Sequence, residues 1–218
     1  MAQMKTPGVY IIEKNAFPNS VVEVATAIPA FIGHTQFARD GNKDLTGIPF
    51  RISSMAEFHS FFGFAPTLRF GIRPEDSESE DTTNDINVLF PDGSCQLTLP
   101  KTFYALYYNM LLFYANGGGP CYIVSIGDYE HDFKSIDFTN ALLALKKEQE
   151  PTLVVVPEAV YMEEGDCYKV QTAALMHCGN DMKNRFAILD VFNGYKDENG
   201  AVIKSFRENI GSKIGRAS

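Results

Sequence analysis

The sequence lacks tryptophan, and none of its apolar runs approaches the roughly 18 residues that a membrane-spanning helix requires. Residues 1–9 also lack the apolar segment of a secretory signal peptide. We therefore expect synthesis in the cytoplasm and no direct insertion into a membrane.

Basic residues are few, since 19 Lys and Arg stand against 27 Asp and Glu and give a formal net charge of -8. The basic residues form no separate patch along the sequence, and an acidic protein repels phosphate backbones. We therefore expect no nucleic-acid partner.

Cysteine is scarce, and its spacing indicates neither a zinc site nor a redox pair, because no CxxC motif occurs. Without a secretory leader, we expect free thiols that pack as small apolar side chains. The four cysteines are Cys95, Cys121, Cys167 and Cys178.

The composition is that of a folded protein. The 218 residues are 45% hydrophobic and 21% charged, which is enough to form a core without disulfides or metal. From residue 101 onward, predicted helices alternate with apolar strands at residues 121–126, 152–156 and 186–191. This order predicts an α/β fold, α+β overall, with an open, largely parallel sheet and covering helices.

Two predicted helices have local end signals. Ser54 and Glu57 have capping-box spacing at the start of a helix that Gly63 ends. A second helix, predicted over residues 101–114, is followed by Gly117, Gly118 and Gly119, which we interpret as a structural turn. We expect the helix stop to need a positive φ at Gly118 or Gly119. A third helix, at residues 139–146, should face inward through Ala141, Leu142 and Leu145.

The glycine run also allows a nucleotide-binding reading, but phosphate-binding loops lie between a strand and the start of the next helix. Here the order is helix, glycines, strand. The carbonyl end of a helix repels phosphate, so we expect no nucleotide cofactor, and no other cofactor is indicated.

Residues 75–85 contain six acidic side chains and no basic one. Such a segment cannot be buried, so it predicts an exposed loop within an outer insertion. Calcium binding is the alternative, although the ligand order and central glycine of an EF-hand are missing.

The strongest catalytic alternative is a thiol nucleophile with a base and an orienting carboxylate. The residues that could form it are Cys167, His177, Cys178 and Asp190. No spacing brings them together, so two core thiols and a histidine at a helix end are the simpler interpretation. Asp128 and Asp190 lie at the carboxyl ends of predicted strands, where open α/β sheets bind ligands.

The remaining histidines are His34, His59 and His131. None of them stands at metal-ligand spacing from a pair of Cys or carboxylate residues. Each is expected to be a surface or hydrogen-bonded boundary residue, and no metal site is predicted.

The start of the chain has the pattern of an exchanged strand. Residues Val9, Tyr10, Ile11 and Ile12 are strand formers, and Glu13 follows them. A polar, Pro-containing stretch at residues 15–20 separates them from the next apolar segment, so no hairpin partner is near. Their partner strand is therefore distant and can belong to another chain.

Six segments, in order, resemble the tail sheath proteins of contractile phage tails and of the related extracellular contractile injection systems. They are KTPGVYIIE (5–13), FPNSVVEVATAIPAFIGHT (17–35), FRISSMAEFHSFFG (50–63), YYNMLLFYANGGGPCYIVSIG (107–127), EPTLVVVPEAV (150–160) and RFAILDV (185–191). The resemblance implies a non-enzymatic structural subunit that stacks in rings around an inner tube and contracts to drive the tube into a target membrane.

The resemblance also implies partners and a division of the chain. The partners would be copies or paralogues of the sheath protein, an inner tube protein, and baseplate and terminal cap proteins. Residues 9–13 would form an N-terminal arm that adds a strand to a neighbour's sheet. The arm and linker would occupy residues 1–20. The first part of the sheath body would occupy residues 21–100, with an outer insertion around 64–100, and an α/β core would occupy residues 101–218.

One end of the sequence departs from the family pattern. Sheath proteins continue past the segment that matches residues 206–211 into a C-terminal domain, whereas this sequence stops at Ser218 after SKIGRAS. We therefore expect a core that is truncated relative to the family. Two other functions stay open at this point: a small α/β hydrolytic enzyme that uses Cys167 or Asp190, and a free adaptor or binding module.

Overall fold

The computed structural model describes residues 27–68, 70–74, 85–90, 93–98, 102–196 and 200–210. Residues 9–13, predicted to form the arm, lie outside the described residues. The strands are β1 Pro29–Gly33, β2 Arg39–Asp40, β3 Lys43–Asp44, β4 Phe50–Ile52, β5 Gly71–Pro74, β6 Asp85–Phe90, β7 Gly93–Thr98, β8 Cys121–Ser125, β9 Leu153–Val155 and β10 Phe186–Ile188. The α-helices are α1 Met55–Phe62, α2 Leu106–Ala115, α3 Ser135–Leu145, α4 Glu164–Met176 and α5 Ala201–Ile210.

The main sheet has five strands in the order β10-β9-β1-β8-β4. The first four run parallel, and β4 pairs antiparallel with β8. This topology confirms the predicted α/β fold with a largely parallel sheet, and the three strands predicted after residue 101 are β8, β9 and β10.

Helices cover both faces of this sheet. Alternate strand residues point to opposite sides, and the strands carry apolar residues on both sides that the helices bury. On one side, α3 and α4 cover the strand residues Ala30, Ile32, Val124 and Val154. On the other side, α1 and α2 cover Phe31 and Ile123. The inward residues predicted for α3 are confirmed as buried: Ala141, Leu142 and Leu145.

Helix α1 begins and ends where its local signals predict. The Ser54 hydroxyl accepts a hydrogen bond from the Glu57 N–H at 3.2 Å, and the Glu57 carboxylate accepts one from the Ser53 N–H at 2.6 Å. Gly63 ends the helix with a φ of 85°, and Phe58 and Phe62 are fully buried. The capping interactions orient these two rings toward the core.

Two helix starts were predicted wrongly. Helix α2 begins at Leu106 rather than Lys101, and Phe103 lies before it. Its N-terminal residue, Leu106, donates its N–H to Glu158, a carboxylate 52 positions away, so the start is set by a tertiary contact. Helix α3 begins at Ser135, four residues before the predicted Thr139.

A separate antiparallel sheet, β5-β7-β6, lies in the region interpreted as an outer insertion. The sequence carries a hairpin signal for it, Pro91-Asp92-Gly93, which runs from the end of β6 into the first residue of β7. The predicted acidic loop, residues 75–85, falls outside the described residues except for Asp85, which begins β6 and is therefore not a loop residue. Among the described helices, none is both long enough and apolar enough to cross a bilayer.

Candidate functional site

The glycine turn after α2 is confirmed as a helix stop, with a correction to the residue that needs positive φ. Gly117 has a φ of 83°, and Gly118 donates its N–H to the Phe113 carbonyl at 2.9 Å. A Cβ at Gly118 would lie 2.7 Å from that carbonyl oxygen, so glycine is needed there for close approach. Gly119 has neither constraint, because nothing lies within 4 Å of the Cβ position and its φ is not in the left-handed region.

A buried polar pair lies at the carboxyl end of the parallel strands. His34 and Glu158 are 1% and 0% exposed, and His34 Nδ1 lies 2.7 Å from Glu158 Oε2. The same carboxylate accepts the N–H of His34 at 2.9 Å and the N–H of Leu106 at 3.3 Å. Gly33 allows this approach, since a Cβ there would lie 3.0 Å from the Glu158 carboxyl carbon.

The interactions of Glu158 are structural ones. It joins the end of β1 to the start of α2, where a carboxylate also interacts favourably with the helix dipole. His34 is enclosed by the rings of Tyr104, Phe133 and Phe138. The expectation that His34 is a surface or boundary residue was wrong, and sequence reasoning missed Glu158.

Other polar side chains at this end of the sheet also have hydrogen-bond partners within the protein. Thr35 Oγ1 and Ser125 Oγ are 2.6 Å apart, and Thr35 donates its backbone N–H to the Gly127 carbonyl. At the surface, His131 Nδ1 lies 2.6 Å from Asp128 Oδ1. Hydrogen bonds from the Glu130 N–H and from His131 lower the pKa of the Asp128 carboxyl.

His59 and His131 have the hydrogen-bonded environments expected for boundary and surface residues. His59 is half-buried, with Nε2 lying 3.1 Å from the Tyr107 hydroxyl oxygen. Within the part of the chain that the structure describes, no group of three or more His, Cys, Asp or Glu residues is arranged to hold a metal ion.

The four residues of the possible thiol site are not assembled for nucleophilic attack. Burial raises the pKa of the Cys167 thiol to about 12 and that of Cys178 to about 11, so both are protonated at neutral pH. His177 Nε2 lies 3.0 Å from Arg185 Nη1, and the negative charge of Asp190 adds to the rise in the pKa of Cys167. Cys121, Cys167 and Cys178 are confirmed as buried free thiols, whereas Cys95 is only partly buried.

Arg185 is a buried cation that sequence reasoning did not identify. It is 4% exposed and donates from Nη1 to the Leu145 carbonyl at 3.1 Å and from Nη2 to the Glu148 carbonyl. Leu145 is the last residue of α3 and Glu148 lies in the turn that follows it, so the positive charge sits at the carbonyl end of the helix, where the helix dipole favours a cation. The Leu145 carbonyl also accepts the Glu148 N–H at 3.2 Å. Arg185 therefore connects the segment before β10 to α3.

The most exposed apolar surface of the main sheet is the outer end formed by β9 and β10. Phe186 and Ile188 of β10 are 75% and 50% exposed. They point to the same side of the sheet as Phe31 of β1, which α1 and α2 cover. A groove of about 630 Å³ lies between these strands and α2, lined partly by Asn109, Leu112 and Ile188. We call this region the open edge: β10 together with the side of β9 and β10 that lines the groove, where no described helix covers β10.

No protein-family model matches the chain, and a comparison with curated proteins also finds no match.

Proposed function

We propose that this protein is a structural subunit of the contractile sheath of a phage tail-like injection system. Its copies would polymerise around an inner tube, and contraction would drive the tube through a target membrane. Five of the six segments that resemble sheath proteins reach into the described residues, and they support this proposal because they coincide there with β1, α1, α2 followed by β8, β9, and β10.

The observation that carries the proposal is the open edge. An apolar edge strand with large exposed side chains is a surface suited to association with another polypeptide. The polar groups at the carboxyl end of the sheet, by contrast, bind one another, and the buried thiols have raised pKa values. This combination favours a protein that assembles over one that performs nucleophilic catalysis.

In the proposed mechanism, residues 9–13 leave the body and add a strand to a neighbouring subunit. The backbone hydrogen bonds of that strand persist while the bodies rotate during contraction. The proposed partners are other sheath copies or paralogues, the tube protein, and baseplate and terminal cap proteins.

The test is to delete residues 1–13 from the full chain. We expect the body to stay folded, because residues 28–210 of the described chain already form two apolar clusters of the main sheet, and we expect rings or tubes to be lost. Circular dichroism and thermal melting report the fold, while sedimentation and electron microscopy report assembly. Deleting only residues 1–4 is the control and should preserve assembly.

Two results would count against the proposal. If the deletion unfolded the body, residues 9–13 would be a strand of their own chain. If rings or tubes formed without residues 1–13, the arm would not link the subunits.

A further inference from the structure

The groove between α2 and the main sheet has the size and lining of a small-molecule site. Its volume of about 630 Å³ lies within the range of roughly 300 to 1,000 Å³ that is usual for ligand pockets. Its floor includes Val155 of β9 and Ile188 of β10. Its wall is one face of α2, where the lining residues recur at helical spacing: Asn109, Leu112, Phe113 and Asn116. Among the described residues that line the groove, none is charged.

The two asparagine side chains offer acceptors to this groove rather than donors. Asn109 Nδ2 donates to the Ala105 carbonyl at 3.0 Å. Asn116 Nδ2 donates to the Leu112 carbonyl at 2.8 Å. A carbonyl oxygen only accepts, so these contacts fix the orientation of both amides and leave each Oδ1 as an acceptor to which no described residue donates. A ligand that satisfies these oxygens needs an N–H or O–H group.

The end of the groove at the glycine turn also favours positive charge. Helix α2 ends there, and the carbonyl end of a helix carries a partial negative charge. No basic residue occupies the last turn of α2. The N–H groups of Gly117 and Gly118 already donate to the Tyr114 and Phe113 carbonyls. By charge complementarity, this end of the groove suits a cationic head group and disfavours an anionic one.

The apolar part of such a ligand also has a defined place. Beyond the Asn116 end, the groove is bordered by Leu112, which is 64% exposed, and by the strand residues Val155 and Ile188. An aliphatic chain laid against these three side chains removes apolar surface from water, which stabilises the complex. The groove therefore combines an apolar body site with an acceptor-rich end.

We propose that this groove binds a small cationic amphiphile, a primary alkylammonium in its simplest form. Its head donates to Asn116 Oδ1 beside the carbonyl end of α2, and its aliphatic body lies against Leu112, Val155 and Ile188. This site does not depend on assembly into a sheath, because every residue that forms it belongs to one chain.

The first test compares three eight-carbon probes on the full chain by isothermal titration calorimetry at an ionic strength of about 0.15 M. The probes are octylammonium, neutral octanol and anionic octanoate, which share an apolar body and differ in the charge of the head. We expect one octylammonium per chain, bound at least about tenfold more tightly than octanoate, with octanol between them.

The second test places the same added charge at two neighbouring positions of α2. Leu112 lines the groove, whereas Leu111, which is 48% exposed, is not among its lining residues. Leu112→Lys should weaken octylammonium binding at least about tenfold and strengthen octanoate binding. Leu111→Lys is the matched control and should change either affinity by less than about threefold, because solvent and salt screen its charge. Circular dichroism should be unchanged in both variants, since both side chains are exposed.

Three results would overturn the proposal. Octanoate that binds the wild type as tightly as octylammonium would exclude a cationic head at this site. Equal loss of octylammonium binding in the two lysine variants would show general attraction to an acidic protein rather than binding in the groove. A full chain that binds none of the probes would exclude the site altogether. None of these results affects the sheath proposal, which the deletion of residues 1–13 tests separately.

Discussion

His177 and Arg185 are two buried basic residues in direct contact. Arg185 binds carbonyl oxygens at the end of α3, and His177 Nε2 lies 3.0 Å from the Arg185 guanidinium. The guanidinium is a donor only, so Nε2 must be the unprotonated nitrogen of the ring. Burial, followed by the neighbouring positive charge of Arg185, lowers the pKa of His177 to about 4.

This contact predicts a loss of stability in mild acid. An unfolded histidine has a pKa of about 6.5, so the unfolded state gains a proton between about pH 6.5 and pH 4 that the folded state does not bind. The free energy of unfolding should therefore be unaffected by this group above about pH 6.5 and fall by about 2 to 3 kcal/mol on acidification to pH 4.

The measurement is urea unfolding of the wild type and of His177→Gln across that pH range. The glutamine amide oxygen can still accept from Arg185 but does not titrate, so the acid loss should be smaller in the variant. The nearby ion pair of Lys146 and Asp181, 2.8 Å apart, is present in both proteins and does not affect the comparison. Equal pH dependence of the two proteins would contradict the prediction.

The ends of α2 are set by two different kinds of interaction. The C-terminal end is local, because Gly117 adopts a φ of 83° directly after the helix. The N-terminal end depends on Glu158, which is distant in sequence. The first kind of signal is readable from the sequence, and the second requires the folded structure.

Substitutions at the glycine turn should differ by position. Gly117→Ala should lower the free energy of unfolding by about 1 kcal/mol or more, because an L-residue is strained in the left-handed region. No atom would contact the added Cβ, so the effect is conformational. Gly119→Ala is the matched control and should cost nothing measurable, since that position has neither positive φ nor crowding.

Chemical denaturation of the two variants checks this prediction. Equal losses at Gly117 and Gly119 would contradict the interpretation of the turn. Loss of a bound nucleotide without loss of stability would instead revive the phosphate-binding reading.

At the scale of elements, apolar runs in the sequence predicted three of the five strands of the main sheet, β8, β9 and β10, and local cap signals predicted α1. The α1 cap was predictable because Ser54 and Glu57 are three residues apart. The His34–Glu158 pair was not, because its members are 124 positions apart and meet only when β1 and β9 pair. The π-helical turn His177–Met182, which continues α4, has no sequence signal of comparable strength.

At the scale of the whole molecule, the pattern of helices on the sheet was only partly predictable. Periodicity shows which residues of a helix face a sheet, but it does not show how many strands that helix covers. The exposure of Phe186 and Ile188 follows from the position of β10 at the end of the sheet, and strand order is a tertiary property. The open edge was therefore found only in the structure.

The open edge and the net charge of -8 act in opposite directions on solubility. Copies with this net charge should repel one another at long range, whereas the exposed Phe186 and Ile188 side chains favour contact, so we expect ionic strength to control how often two copies associate. Raising salt from about 0.01 M to about 1 M shortens the Debye length from roughly 30 Å to 3 Å, and self-association measured by light scattering should increase. Phe186→Glu should weaken this salt response, and an unchanged response would mean that another surface drives the association. If the protein polymerises as proposed, its acidic charge would delay that polymerisation until the subunits are concentrated or the charge is screened by salt.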